Sequence, residues 1–229
     1  MTGHACTMAE AIAPVRDGMR VGLGGILGRR RPLGSCRSLV EAGIRGLHVY
    51  SFLAGAETEL LVAGGAVASV TSGYLDPDAR AEATESARAA GRIDWHEVSE
   101  HMFVGGLLAT GAGLPFWPTL GGVGSDVAER LALRTVRCPY TDRPVLAVPA
   151  TPLDVALLHA PAATEQGALL APPERKFLDD ADVTLARAAR WVVVTVDRIA
   201  GTDEATGGGG AVLAPFEVDA IVCVGPGRP

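Results

Sequence analysis

Aromatic residues are scarce in this chain of 229 residues: Phe, Trp and Tyr together make up 5%. With 48% of residues hydrophobic, the interior has to be built from Ala, Val, Leu and Ile, which suits one sizeable α/β domain spanning residues 1–229. Cysteine is thin as well. Cys6, Cys36, Cys138 and Cys223 stand far apart at no zinc-ligand spacing, so they read as reduced thiols, and no metal is expected. No apolar run reaches the roughly 18–20 residues needed to span a bilayer. The opening Met1-Thr-Gly-His lacks a basic start followed by an apolar stretch, so no signal peptide is expected and the location read from sequence is cytoplasmic. A basic excess is missing too: 20 Lys and Arg against 26 Asp and Glu give a net charge of -6. That balance argues against non-specific nucleic-acid binding and leaves small-molecule chemistry or a protein partner. There is no G-x-S-x-G, no recognisable Ser-His-Asp order, no internal repeat and no heptad pattern.

Glycine and proline, by contrast, are plentiful, at 29 and 15 residues. They concentrate mid-chain in Gly113-Leu-Pro-Phe-Trp-Pro-Thr119 and Gly121-Gly-Val-Gly-Ser-Asp126, which read as a rigid loop between two apolar segments. Around that loop the pattern alternates between strands and helices. Thr7-Met-Ala-Glu10 has the spacing of a capping box, with Pro14 set to shorten the helix behind it. Strands are predicted at Arg20–Leu23, Leu47–Phe52, Val67–Ser72, Ile93–Val98, Val145–Val148, Val155–His159 and Trp191–Val196, with one more at Asp219–Val224. Helices are predicted at Pro32–Ala42 (stopped by Gly43), Thr58–Val62, Ala79–Ala90 (started by Asp76-Pro77), Glu100–Ala109 (capped by Ser99), and from Asp179 or Asp180 to Arg190. This rhythm implies an open, mainly parallel sheet with helices on both faces. Residues 206–210 read as a flexible glycine loop.

Several residues are candidates for chemistry. Gly22-Leu-Gly24-Gly25 is a glycine turn between a strand and a helix, where backbone amides can face an anion or a developing oxyanion; a plain tight turn is the alternative. Its spacing departs from the dinucleotide fingerprint. Arg29-Arg30-Arg31-Pro32 beside it is a basic patch, either a solvated loop or a cradle for phosphate or carboxylate. Glu100 stands at a helix start after a strand, where the helix dipole favours its ionised form. Glu97 falls on the preceding strand, and His101 reads as a bystander. Asp126 and Asp154 read as caps, and His159 as a satisfied core histidine.

Taken in order, Gly22-x-Gly24-Gly25, Arg30-x-Pro32, Gly113-Leu-Pro-Phe116 with Pro118-Thr119, Gly122-x-Gly124-Ser-Asp126, Pro139-Tyr140, Val148-Pro-Ala150, Asp154–His159 and Ala188-Ala189 before Val192–Ile199 resemble the α subunit of family I CoA transferases. The resemblance implies a fold of the NagB/RpiA/CoA transferase type and coenzyme A as substrate with no permanently bound cofactor. It also implies an αβ or α2β2 hetero-oligomer formed with a similar β subunit. The reaction implied is transfer of CoA between carboxylic acids through a glutamate-bound intermediate, a form of covalent catalysis. Gly24, Gly25, Arg30, Phe116, Gly122 and Gly124 would then supply oxyanion and substrate contacts. In ordinary transferases of this family the nucleophilic glutamate belongs to the β subunit. Glu97-Val-Ser-Glu100-His-Met102, however, resembles the α-subunit segment of steroid ring-opening CoA hydrolases, in which the α-subunit glutamate is itself catalytic. That alternative makes Glu100 the base or nucleophile in cleaving a C–C bond of a β-keto acyl-CoA. A third alternative is a non-catalytic α subunit that shapes the site of its partner. His101 stands where the hydrolase pattern has glycine, and Ala163-Thr-Glu-Gln-Gly-Ala168 replaces the usual Ala-Asp-x-x-Gly-Asn. These departures point to a specialised substrate.

Overall fold

The computed structural model describes residues 4–77, 79–172, 180–201, 203–204 and 210–226. The chain begins with β1 (His4–Ala5) and α1 (Met8–Ile12). Thr7 caps α1 as its sequence predicts: its hydroxyl accepts the Glu10 N–H at 3.3 Å, and the Glu10 carboxylate accepts the Thr7 N–H at 2.8 Å. The helix stops at Ile12, two residues before Pro14, whose ring cannot continue it.

Strand–helix units follow: β2 (Arg20–Leu23), α2 (Leu33–Glu41), β3 (Leu47–Ser51), β4 (Leu53–Ala54), α3 (Ala56–Ala63), β5 (Val67–Ser72), β6 (Tyr74–Leu75), α4 (Glu82–Ala89) and β7 (Asp94–Glu97). Helix α5 (Glu100–Gly111) begins at the Ser99 cap, whose hydroxyl accepts the Met102 N–H at 3.3 Å. Next come β8 (Phe116–Thr119), α6 (Asp126–Arg130), β9 (Arg134–Arg137) and β10 (Pro144–Pro149). The chain then forms β11 (Leu153–Thr164), β12 (Leu169–Leu170), α7 (Ala181–Ala188), β13 (Ala189–Ala200), β14 (Ala211–Leu213) and β15 (Ala220–Cys223).

The main sheet has the order β1-β15-β13-β11-β2-β3-β5-β7, with every neighbouring pair parallel. β12 adds antiparallel to β11, and β14 to β12. Two apolar layers sandwich this sheet. One joins α1 to α4 through Leu39, Leu61 and Ala87 to Val21, Val49 and Val70; the other joins α5 and α7 through Phe103, Leu107 and Leu185 to Leu158 and Val194. No helix among the described residues is long and apolar enough to cross a membrane.

Three sequence expectations are corrected. The central run is not all loop, because Phe116–Thr119 pairs antiparallel with β10, giving a small sheet of order β8-β10-β9. Its prolines are tolerated because Pro118 lies on an edge strand. Helix α4 starts at Glu82 rather than at Asp76-Pro77, since Asp76 is buried against Arg31 instead of capping. Strand β11 runs five residues past His159, carrying Pro161 where β2 no longer borders it. The predicted glycine loop at 206–210 and the Asp179 cap lie outside the described residues, apart from Gly210.

Arg31 holds the loop after β2 in place. Its Nη1 donates to the Leu53 carbonyl at 2.7 Å and to Glu57 Oε1 at 2.8 Å, and its Nη2 to Asp76 Oδ2 at 2.9 Å. All three side chains are buried. Burial pushes the Glu57 carboxyl above its ordinary range, while Arg31 and the Gly55 N–H pull it back down. Arg31→Leu would leave two carboxyl groups in a dry site without their cation. The expected cost is about 3–5 kcal/mol, read as a lower urea midpoint with an unchanged slope. A shift below about 1 kcal/mol would show that the cluster does not anchor the loop.

Candidate functional site

The strands β2, β3, β5 and β7 step outward in one direction and β11, β13 and β15 in the other, so the sheet reverses between β2 and β11. In open α/β sheets, ligands bind beyond the carboxyl ends of the strands at such a reversal. The glycine turn lies there, directly after Leu23. Gly25 has φ +83°, and a Cβ on it would stand 2.5 Å from the Arg30 carbonyl oxygen, so only glycine fits. The Gly24 amide donates to the Leu157 carbonyl at 2.9 Å and the Gly25 amide to Asp182 Oδ1 at 2.8 Å. Both amides are thus engaged inside the chain, and an oxyanion at Gly25 would have to displace Asp182. Arg30 reaches the other Asp182 oxygen at 3.2 Å. With Arg31 buried, the basic run is not a solvated patch.

Arg30, Asp182 and His159, with the apolar side chains Leu169, Leu170 and Leu213, line a cavity of about 150 Å³. The cavity occupies the stretch of β11 between the end of its pairing with β2 at Leu157 and the start of its pairing with β12 at Ala163. The Thr195 hydroxyl donates to the Leu158 carbonyl and lies 2.9 Å from His159 Nδ1, so it accepts the Nδ1 proton. His159 Nε2 stands 3.7 Å from Asp197. Burial lowers the His159 pKa, Asp197 opposes that shift, and the nearby Arg30 adds to it.

Glu100 belongs to a second neighbourhood. It is the exposed first residue of α5, just beyond the carboxyl end of β7. Phe103 fixes this turn by meeting Phe52, at the end of β3, edge-to-face at 5.7 Å. The glycine-rich turn of the central run packs on the same turn: a Cβ at Gly122, φ +85°, would lie 2.6 Å from Met102 Cε, and one at Gly121 3.3 Å from His101. Ser125 closes that turn by donating to the Gly122 carbonyl and also caps α6, so Asp126 is not the cap. Gly124, φ +75°, completes the turn. Val98, Met102 and Phe103 from this region line a cavity of about 270 Å³ between the main sheet and the small sheet.

The structure therefore brings Gly24, Gly25 and Arg30 together, and sets the Gly121–Gly124 turn against His101 and Met102, the two residues that follow Glu100. Phe116 goes elsewhere, into a cavity of about 570 Å³ on the outer face of the small sheet with Val136 and Tyr140. Asp154 is no cap either: it lies on β11 and accepts the Arg20 N–H at 2.8 Å. Sequence reading missed Asp182 and Glu57, the carboxylates that hold the two loop arginines; their only signal was apolar helical surroundings that disfavour an unpaired charge.

The sequence profile of the coenzyme A transferase family matches residues 6–210. The chain is 32% identical over 208 residues, 86% of its length and 69% of the relative's, to the cholesterol ring-cleaving hydrolase IpdA subunit of Rhodococcus jostii. It is 27% identical to a glutaconate CoA-transferase subunit of Acidaminococcus fermentans, covering 86% of this chain and 67% of that protein. In three dimensions it superposes on a variant of the decarboxylase AibA/AibB with a TM-score of 0.86 and 32% identity, over 99% of this chain and 85% of that one.

The buried His159 gives the fold a pH dependence with a defined sign. An unfolded histidine binds a proton at about pH 6.5, and the folded one only at lower pH. In that window the unfolded chain holds more protons, so stability rises with pH and is lost on acidification. Melting temperature should therefore fall from neutral pH into the acid range, and fall less steeply in His159→Gln. Equal slopes in the two proteins would assign the loss to other groups.

Proposed function

The chain belongs to the coenzyme A transferase family, and from that premise we propose that it is the α-type subunit of a heteromeric enzyme in which Glu100 acts on an acyl-CoA thioester. The observation that carries this reading is the placement of Glu100. It is an exposed carboxylate on the first turn of α5, beyond the carboxyl end of β7, and the next two residues, His101 and Met102, pack on the Gly121–Gly122 turn. An exposed carboxylate is open to water and to substrate, as a general base must be. Coenzyme A enters as part of the substrate, and the partner is a β subunit of the same family.

Cleavage of a C–C bond is the reaction this arrangement supports best. Glu100 takes a proton from water as the water oxygen adds to a carbonyl β to the thioester. The bond between that carbon and the α-carbon then breaks, its electron pair passing to the thioester enolate. The proton held by Glu100 returns to the α-carbon. Likeness to the IpdA subunit over 86% of this chain supports this choice. A second reading, transfer of CoA between carboxylic acids through a glutamate-bound intermediate, is favoured by the likeness to the glutaconate CoA-transferase chain.

In the assembled complex, Glu100→Gln should lower turnover by about 10²–10⁴-fold while leaving thioester binding intact. Near-wild-type turnover would remove Glu100 from the chemistry. Incubation with acyl-CoA, quenching with hydroxylamine or borohydride and mass spectrometry then separates the two reactions. A modified glutamate on the partner alone marks CoA transfer, and no covalent label marks water attack.

A further inference from the structure

The cavity of about 150 Å³ at the strand reversal plays no part in the chemistry assigned to Glu100. His159 lines it from β11 with only 6% of its surface exposed. The ring is oriented by two hydrogen bonds in series: Nδ1 donates to the Thr195 oxygen at 2.9 Å, and the Thr195 hydroxyl donates to the Leu158 carbonyl at 3.3 Å. A neutral imidazole with its proton on Nδ1 carries a bare lone pair on Nε2. Burial and the nearby Arg30 disfavour a second proton there, against the pull of Asp197. Nε2 faces Asp197 Oδ1 at 3.7 Å. That oxygen is buried, and among the described residues no donor reaches it. Two acceptors thus confront each other across a gap too wide for a direct hydrogen bond. Leaving both unmet in a dry site is costly, and one donor atom between them reaches both. The charges favour a cation: Asp180, Asp182 and Asp197 stand against Arg30, which Asp182 already neutralises. The rest of the lining, with Leu169, Leu170, Val183 and Leu213, is apolar and suits a short carbon chain.

We propose that this cavity is a binding site for a primary ammonium group on a short aliphatic chain, whose N–H donors bridge His159 Nε2 and Asp197 Oδ1. The carbon chain lies against Leu169, Leu170 and Leu213. Thr195 is a positioning residue that acts through His159, because its hydroxyl fixes which ring nitrogen is free to accept. The site is independent of the acyl-CoA reading, and its occupant is a small amine distinct from the thioester.

The test is calorimetric titration of the full chain at neutral pH with n-butylammonium and with n-butanol, which share a four-carbon chain and differ in charge. Butylammonium should bind at one site, about tenfold to a hundredfold more tightly than butanol, the range expected for a hydrogen bond to a charged acceptor. Asp197→Asn keeps the shape of the site and removes its charge, so it should erase that preference and leave the butanol affinity unchanged. In isotopically labelled wild type, the nitrogen resonance of His159 Nε2 should move upfield on saturation with butylammonium, as an accepted hydrogen bond requires, while Nδ1 stays in place. Equal affinities for the two compounds, a preference that survives Asp197→Asn, or no binding of either overturns the site. An unmoved Nε2 resonance overturns it as well, since His159 would then not touch the amine.

Discussion

The rim of this sheet depends on a guanidinium that has nowhere else to go. Arg31 is 3% exposed, and its partners come from three different segments: the Leu53 carbonyl in β4, Glu57 in α3 and Asp76 after β6. A charge in so dry a place is tolerated only when its counter-charges and acceptors are all in position. The loop after β2, the start of α3 and the end of β6 are therefore constrained together. The preceding residue makes the reciprocal connection. Arg30, with φ +51°, turns toward α7 on the opposite face and meets Asp182. Two consecutive arginines thus tie helices on both faces of the sheet to one edge, and the strained backbone between them is the cost of pointing their side chains in opposite directions.

That arrangement explains which features were legible in the sequence. Alternating strands and helices, the capping box at Thr7, the Ser99 cap and the positive-φ Gly43 after α2 are local signals, and each appears where its residues place it. The parallel sheet followed from the same rhythm. The small sheet did not, because β9 is Arg134-Thr-Val-Arg137, exposed throughout, and β8 holds a proline; neither has the alternation that marks a half-buried strand. The basic run was visible, but its burial was not. The carboxylates that neutralise Arg30 and Arg31 lie 152 and 26 positions away, at Asp182 and Glu57, and no local pattern announces a pairing across such a distance. For the same reason the glycine turn looked like an open nest of amides, although Leu157 and Asp182 already occupy them.

The site divides in a way that composition alone would not suggest. At the strand reversal, the small cavity with His159 is walled by an ion pair and a free stretch of strand edge. Around α5, the glycine turn and the cavity of about 270 Å³ are contiguous through Met102, which touches the turn and lines the cavity two residues after the exposed Glu100. A carboxylate that must exchange protons needs water or substrate within reach, and Glu100 is exposed whereas Asp182 and Glu57 are buried. Of these three carboxylates, the two buried ones hold the loop arginines, and Glu100, like the neighbouring Glu97, is open to solvent.

The scarcity of aromatics bears on this as well. Among the described residues only Phe52 and Phe103 are aromatic and buried, and they meet each other edge-to-face. An aliphatic core of Ala, Val and Leu packs well but gives a helix few large features to index against, so small rotations of α5 would cost little. The Phe52–Phe103 contact removes that freedom at the helix turn where orientation matters. Phe103 follows Glu100 by three positions, on the same side of the helix. Locking the ring against the end of β3 therefore sets the direction in which Glu100 projects. One of the few bulky contacts in the interior is thus placed one helical turn from Glu100, the carboxylate proposed above to react.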